Sequence, residues 1–168
     1  MKKRLLFGVA LICVSNICFS ACLPESAKYE MRGNETYTAG FRRVTGALSD
    51  LAFFIHSPKT GLNYWFQFDM GNGYTDAYLL PIVEPKSGSQ PHPTDEASKA
   101  PSTSFFSFDS KLNVKSEIVT TAIEAPAHIF LPQLGSNLYY FQSAFTNSSP
   151  IKEREILPRG LFELKSCD

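Results

Sequence analysis

One short run constrains this chain more than any other. From Leu62 to Met70 the sequence alternates without interruption: Leu62, Tyr64, Phe66, Phe68 and Met70 fall on one side, and Asn63, Trp65, Gln67 and Asp69 on the other. Period two is the signature of a strand with one buried face. The run is bounded by Ser57-Pro58-Lys59-Thr60-Gly61 and by Gly71-Asn72-Gly73. Both are turn chemistry, because Pro presets φ while Gly and Asn tolerate positive φ. The stretch from Leu51 to Val83 therefore predicts three strands joined by two short turns, an antiparallel meander.

The remainder is compatible with more of the same. Fourteen Phe, seven Tyr, 11 Pro and 10 Gly favour strands and turns over helix bundles. Gly33-Asn34 predicts a two-residue type II′ hairpin between Lys28–Arg32 and Glu35–Ala39, with Arg32 facing Glu35. Phe41 to Asp50 reads as strand or loop, since Gly40 and Gly46 weaken the helical spacing of Phe41, Val44 and Leu48. Further strands are expected at Ser104–Phe108, Glu117–Glu124, Ala127–Leu131, Leu138–Phe145 and Leu161–Lys165. Gly135-Ser136-Asn137, Asn147–Pro150 and Leu157–Gly160 are read as turns, and residues 152–155 as a charged edge or loop. No convincing helix is visible. The expected fold is all-β, an antiparallel β-sandwich or barrel-like sheet built on the central meander. Residues 28–168 form one domain, long enough for a sizeable core. Residues 84–104 hold four Pro and five Ser and no large apolar side chain. They cannot offset their ordering entropy by burial and are expected to be a mobile spacer.

The N-terminus carries an address. Met1-Lys2-Lys3-Arg4 is basic, and Leu5 to Ile17 is an apolar stretch of 13 residues. That is too short to span a bilayer as a helix and reads as an export signal over residues 1–21. Phe19-Ser20-Ala21-Cys22 resembles the lipobox of bacterial lipoproteins. The resemblance covers residues 1–22 only. It implies cleavage after Ala21, diacylation of Cys22, a membrane anchor through that lipid and a tether over 22–27. With Leu23 after the Cys, it implies an outer-membrane position facing the periplasm.

The cysteines allow a second outcome. Cys13 and Cys18 leave with the leader, and Cys22 and Cys167 remain. Export places them in an oxidising compartment. If Cys22 is not lipidated, a Cys22–Cys167 disulfide closes nearly the whole domain, and the protein is soluble in the periplasm or secreted. If Cys22 is lipidated, Cys167 is left odd.

Motifs for chemistry are sparse. From Cys22 onward 13 Lys and Arg stand against 16 Asp and Glu, a net charge of −3. That lacks the basic stripe of a nucleic-acid partner. His56, His92 and His128 show no metal-ligand spacing, and there is no nucleophile elbow or phosphate loop, so no catalytic residue and no cofactor is assigned. Asp69 and Asp76 flank a Gly/Asn turn and are a weak calcium candidate, against the plainer role of solvating a hairpin tip. Trp65, on the polar side of its strand, Tyr78 and Tyr139 are candidate contacts for a partner protein or glycan; for Trp65 the plain alternative is burial under neighbouring chain. The leading expectation is a non-catalytic cell-envelope module that binds another envelope or periplasmic protein. An immunity protein that neutralises a toxin, or an accessory subunit of an envelope machine, is the kind of role meant. The alternatives are a periplasmic hydrolase or glycan-acting enzyme with a composite site around His56 or His128, and a carrier with an apolar cavity between the strands.

Overall fold

A computed structural model describes residues 22–71, 76–147 and 153–168. The expected export signal at 1–21 lies outside the described residues, as do the tip of the Gly71–Gly73 turn and Ser148–Pro150.

The meander is present. β3 (Leu51–His56), β4 (Asn63–Met70) and β5 (Ala77–Ile82) pair antiparallel, with Phe53 opposite Phe66 and Phe68 opposite Leu79. β1 (Ala27–Met31) and β2 (Asn34–Arg43) extend it on one side. The Gly33 turn exists at φ +76°, but the loop residues are Arg32 and Gly33, since Met31 already pairs Asn34. A bulge between Glu30 and Met31 shifts the register, which passes from Glu30 opposite Thr38 to Met31 opposite Asn34. Arg32 consequently turns away from Glu35 and bonds the carboxylate of Glu163 on β10 (Leu161–Cys167).

The remaining strands are β6 (Thr103–Ser104), β7 (Phe106–Phe108), β8 (Val114–Lys115) and β9 (His128–Phe130). All ten form one antiparallel sheet in the order β6-β5-β4-β3-β2-β1-β10-β9-β7-β8. β6 and β7 are separated by Phe105 alone, yet they stand near opposite ends of that order. Ser104 pairs Tyr78 on β5, the Phe105 N–H bonds the Ala77 carbonyl, and Phe106 pairs Phe130 on β9. One bent strand thus joins both ends of the sheet, and the sheet is barrel-like. Phe105 points inward at the bend and meets Phe53 and Phe68 edge-on at 5.6 and 4.9 Å.

The interior is filled with rings. Tyr29, Phe53, Phe66, Phe145 and Phe162 are wholly or almost wholly buried, and Phe41 and Phe68 join them. Each such side chain contributes about 1.5–3 kcal/mol by leaving water.

Several segments differ from the sequence expectation. Leu134–Phe141 is an α-helix, α1, which runs into a 3₁₀ turn at Gln142–Phe145. Its buried residues Leu134, Asn137, Leu138, Gln142 and Phe145 repeat at helical spacing, and that burial overrides the strand preference of Tyr139-Tyr140-Phe141. Gly135 serves close approach rather than a turn: a Cβ there would lie 2.6 Å from the Leu157 carbonyl oxygen. Glu117–Glu124 is not a strand. It is an irregular segment tied to the β2–β3 loop by Ser49 Oγ donating to the Val119 carbonyl at 2.6 Å and by Thr121 donating to Asp50.

Residues 84–104 are pinned at several points rather than left as a spacer. The Val83 N–H bonds His92, the Gly88 N–H bonds Arg43, and buried Thr94 donates to the Ala144 carbonyl at 2.7 Å. The expected tether at 22–27 is also packed. The Cys22 carbonyl accepts from the Ala125 N–H, Pro24–Ser26 is a 3₁₀ turn with Pro24 buried, and Glu25 holds the Arg43 guanidinium.

Candidate binding surface

α1 closes over part of the core as a cap. Leu134 and Leu138 are fully buried beneath it, and Asn137 Nδ2 donates to Thr103 Oγ1 at 2.9 Å. The opposite face is Tyr139-Tyr140-Phe141, of which Tyr140 is 70% exposed. The Tyr139 and Tyr140 rings meet edge to face at 4.9 Å. The Arg154 guanidinium lies over the Tyr139 ring, 5.2 Å from its centroid, and Ile156 is exposed in the same segment as Arg154. Three consecutive exposed aromatics beside a cation have the composition of an interface core.

What holds this cap is a carboxylate inside the protein. Glu155 is entirely buried. Its oxygens accept from Tyr37 Oη at 3.2 Å, Thr60 Oγ1 at 3.0 Å, Tyr64 Oη at 3.1 Å and the Ile156 N–H at 3.0 Å. Gln142 at the end of α1 completes the set: its Oε1 accepts from the Glu155 N–H at 3.0 Å and its Nε2 donates to Tyr64 Oη at 2.9 Å. A buried carboxylate is tolerated when its lone pairs are filled in this way. Burial first, and then the neighbouring Glu155, raise the pKa of both Tyr37 and Tyr64 above the ordinary tyrosine value. For Tyr64, bonds from Thr60 and Gln142 act in the lowering direction without reversing the shift. Both phenols are thus neutral donors at physiological pH. Strands β2 and β4, the β3–β4 turn and the end of α1 converge on one side chain, so the aromatic face is presented rigidly.

The residues singled out from sequence fall in different places. Trp65 is 3% exposed, so it offers no contact at the surface. Its side of β4 is covered: Arg42 lies 4.2 Å over its ring, Phe54 packs at 4.7 Å, and Val44, Ala52 and Ile82 complete a small outer cluster. Tyr78 is half-buried opposite Asp69, and a hydrogen bond to that carboxylate raises its pKa. Tyr139 alone of the three lies on the aromatic face. Asp69 caps its own strand end by accepting from the Met70 N–H, and Asp76 lines a surface groove of about 390 Å³ with Met70, Phe106 and Val114. No three His, Cys, Asp or Glu side chains converge as a metal site among the described residues.

The three histidines stand in separate surroundings. His56 Nδ1 bonds Asn63 Oδ1 at 2.9 Å, His92 is exposed, and His128 Nδ1 stands 4.0 Å from a Glu163 carboxylate already engaged by Arg32. Cys22 and Cys167 are joined in a disulfide, with Cα atoms 5.7 Å apart across 145 residues of sequence.

Glu155 was not legible in the sequence. Glu155 sits in a charged run that looks solvated, and the partners it finds lie up to 118 residues away. Gln142 could have been found from the helical spacing of Leu134, Leu138 and Phe145. Comparison with protein-family models, with curated proteins and with solved structures finds no match to this chain.

Proposed function

We propose that this is an exported, non-catalytic binding module of the bacterial cell envelope that docks another protein on the Tyr139-Tyr140-Phe141 face of α1. The observation that carries this reading is three consecutive exposed aromatics on a cap locked from beneath by buried Glu155. A preorganised aromatic patch loses little entropy on association, which is what a docking surface needs. A toxin-neutralising immunity protein and an accessory subunit of an envelope machine both fit such a surface.

The disulfide supports export, because such bonds persist in oxidising compartments. It also favours the soluble periplasmic or secreted form over the outer-membrane lipoprotein, since one sulfur cannot carry both a diacylglyceryl group and a bond to Cys167. The packing of the chain from Cys22 onward points the same way, because a lipid at Cys22 would have no tether between bilayer and barrel.

The test is co-purification from envelope extracts of the wild type and of a Tyr139→Ser/Tyr140→Ser variant. Exposed substitutions of this kind change stability by about 0.5 kcal/mol or less. One stoichiometric partner retained by the wild type and lost by the variant, at an unchanged unfolding midpoint, is the expected result. Equal recovery by both proteins, or no stoichiometric partner under several solubilisation conditions, would overturn it.

A further inference from the structure

Every Asp and Glu of the chain lies among the described residues. Of the five arginines from Cys22 onward, Arg32, Arg42 and Arg43 each pair with a glutamate. Among the described residues Arg154 and Arg159 pair with none, and both are exposed. Both belong to the segment that runs beside α1 in the opposite direction: Arg154 lies over the Tyr139 ring, and a Cβ on Gly135 would meet the Leu157 carbonyl. Burial alternates along this segment. Glu155 and Leu157 face inward, while Arg154, Ile156 and Pro158 face out. Glu153, next to Arg154 in the chain, is engaged by Lys59 at 3.4 Å. The aromatic face is therefore bordered by an exposed strip that carries two unneutralised guanidinium groups.

A guanidinium laid over an aromatic ring occurs twice in this fold, and only once is it complete. Arg42 lies 4.2 Å over the Trp65 ring, and its Nη1 donates to the Glu84 carboxylate at 2.9 Å. Arg154 lies 5.2 Å from the Tyr139 ring centroid, and its Nη1 donates to the Tyr139 carbonyl at 3.4 Å. No acid completes the second arrangement. A guanidinium has five N–H donors in a planar fork that matches a carboxylate, so most of the fork at Arg154 is unspent. The ring and the carbonyl already hold its direction, so pairing with an incoming acid costs little further side-chain entropy.

We propose that the partner of this face is an acidic protein surface, in which an apolar contact for Tyr140, Phe141 and Ile156 is flanked by carboxylates that take Arg154 and Arg159. The proposal deepens the docking role of α1 and rests on it. Five residues of chain separate the two arginines, a span of at most about 18 Å. A single strand, or a helix of about three turns, is long enough to reach both. An anionic bilayer is disfavoured, because electrostatic attachment to lipid draws on clusters of roughly four to eight cations. The described residues bordering this face offer Arg154 and Arg159 alone as unpaired cations.

The probe is a random peptide library, selected on the full mature chain. Enriched peptides are then titrated against the wild type, the Tyr139→Ser/Tyr140→Ser variant and an Arg154→Gln/Arg159→Gln variant. Peptides that combine aromatic or aliphatic residues with Asp or Glu are expected. They should lose binding to the tyrosine variant and bind the arginine variant about tenfold or more weakly, at an unchanged unfolding midpoint. Added salt should weaken binding to the wild type more than to the arginine variant. Arg159→Gln alone removes a side chain that bonds nothing in the described protein, so it tests the charge without touching the cap; a loss of about threefold is expected. Peptides that need the tyrosines but carry no excess of acid, or that bind both arginine variants as tightly as the wild type, overturn the acidic partner and leave the docking role standing. A selection that yields no peptide dependent on Tyr139 and Tyr140 overturns both. Retention of the wild type on phosphatidylglycerol vesicles, lost in the arginine variant, overturns the proposal in favour of a lipid surface.

Discussion

Glu155 is the residue on which most of the cap depends. Among the described residues no Lys or Arg pairs with it, and its oxygens are held by hydroxyl and amide donors alone. Removing the carboxylate would leave the hydroxyls of Tyr37, Thr60 and Tyr64 facing one another in a dry site. Glu155→Ala is therefore expected to cost about 3 kcal/mol or more, and Glu155→Gln, which keeps one carbonyl acceptor, about 1–2 kcal/mol. Urea unfolding at fixed pH checks the order; a Gln variant as damaged as the Ala variant would mean that charge, not acceptor count, is what the site needs. Trp65 teaches a different lesson at this scale. Its neighbours Asn63 and Gln67 suggested a wet face, but Arg42, 23 residues earlier, covers it. Residue pattern along one strand reports which side faces the core. It does not report what chain returns to cover the other side.

At the scale of elements, the meander was readable because each strand carries its own alternation and its own turn residues. α1 was not. Tyr-Tyr-Phe prefers strands, Gly135 resembles a turn, and only contact with the core makes the helical face at Leu134 and Leu138 profitable. The irregular segment after β8 shows the same dependence in reverse, because its β-branched run is held by side chains of the β2–β3 loop, Ser49 and Asp50, rather than by a ladder. For Asp50, burial acts to raise the pKa. The Thr121 hydroxyl and N–H, and the charge of Arg43, more than offset that, and hold its carboxyl below the usual value. A depressed carboxylate stabilises the fold above its unfolded pKa of about 3.9, and that contribution is lost as pH falls through the lower folded value. Thr121→Val removes one of those donors. The variant should be less stable than wild type near neutrality, and the gap should narrow below about pH 4, as read from urea midpoints across that range. A gap that stays constant with pH would show that the hydroxyl acts by packing alone.

For the molecule as a whole, closure occurs twice. The bend at Phe105 joins the ends of the sheet, and the Cys22–Cys167 bond joins the ends of the described chain. A loop of 145 residues is worth about 4–5 kcal/mol in the chain-entropy model. The Cys22→Ser/Cys167→Ser double variant should unfold at lower denaturant by about that amount while keeping its β-sheet circular dichroism. Intact mass of the mature protein separates the two fates of Cys22. Two hydrogens short of the reduced chain is expected, and a diacylglyceryl adduct would instead return the protein to the membrane.

The sequence by itself determined that strands would dominate, where the central three would run and which of their faces would be dry. Those properties follow from backbone geometry and side-chain alternation within a few residues of one another. Tertiary structure decided the closure at Phe105, the helix in α1, the burial of Glu155 and the cover over Trp65. Each of these depends on groups from distant parts of the chain meeting in a space that excludes water, and a linear pattern carries no record of that meeting.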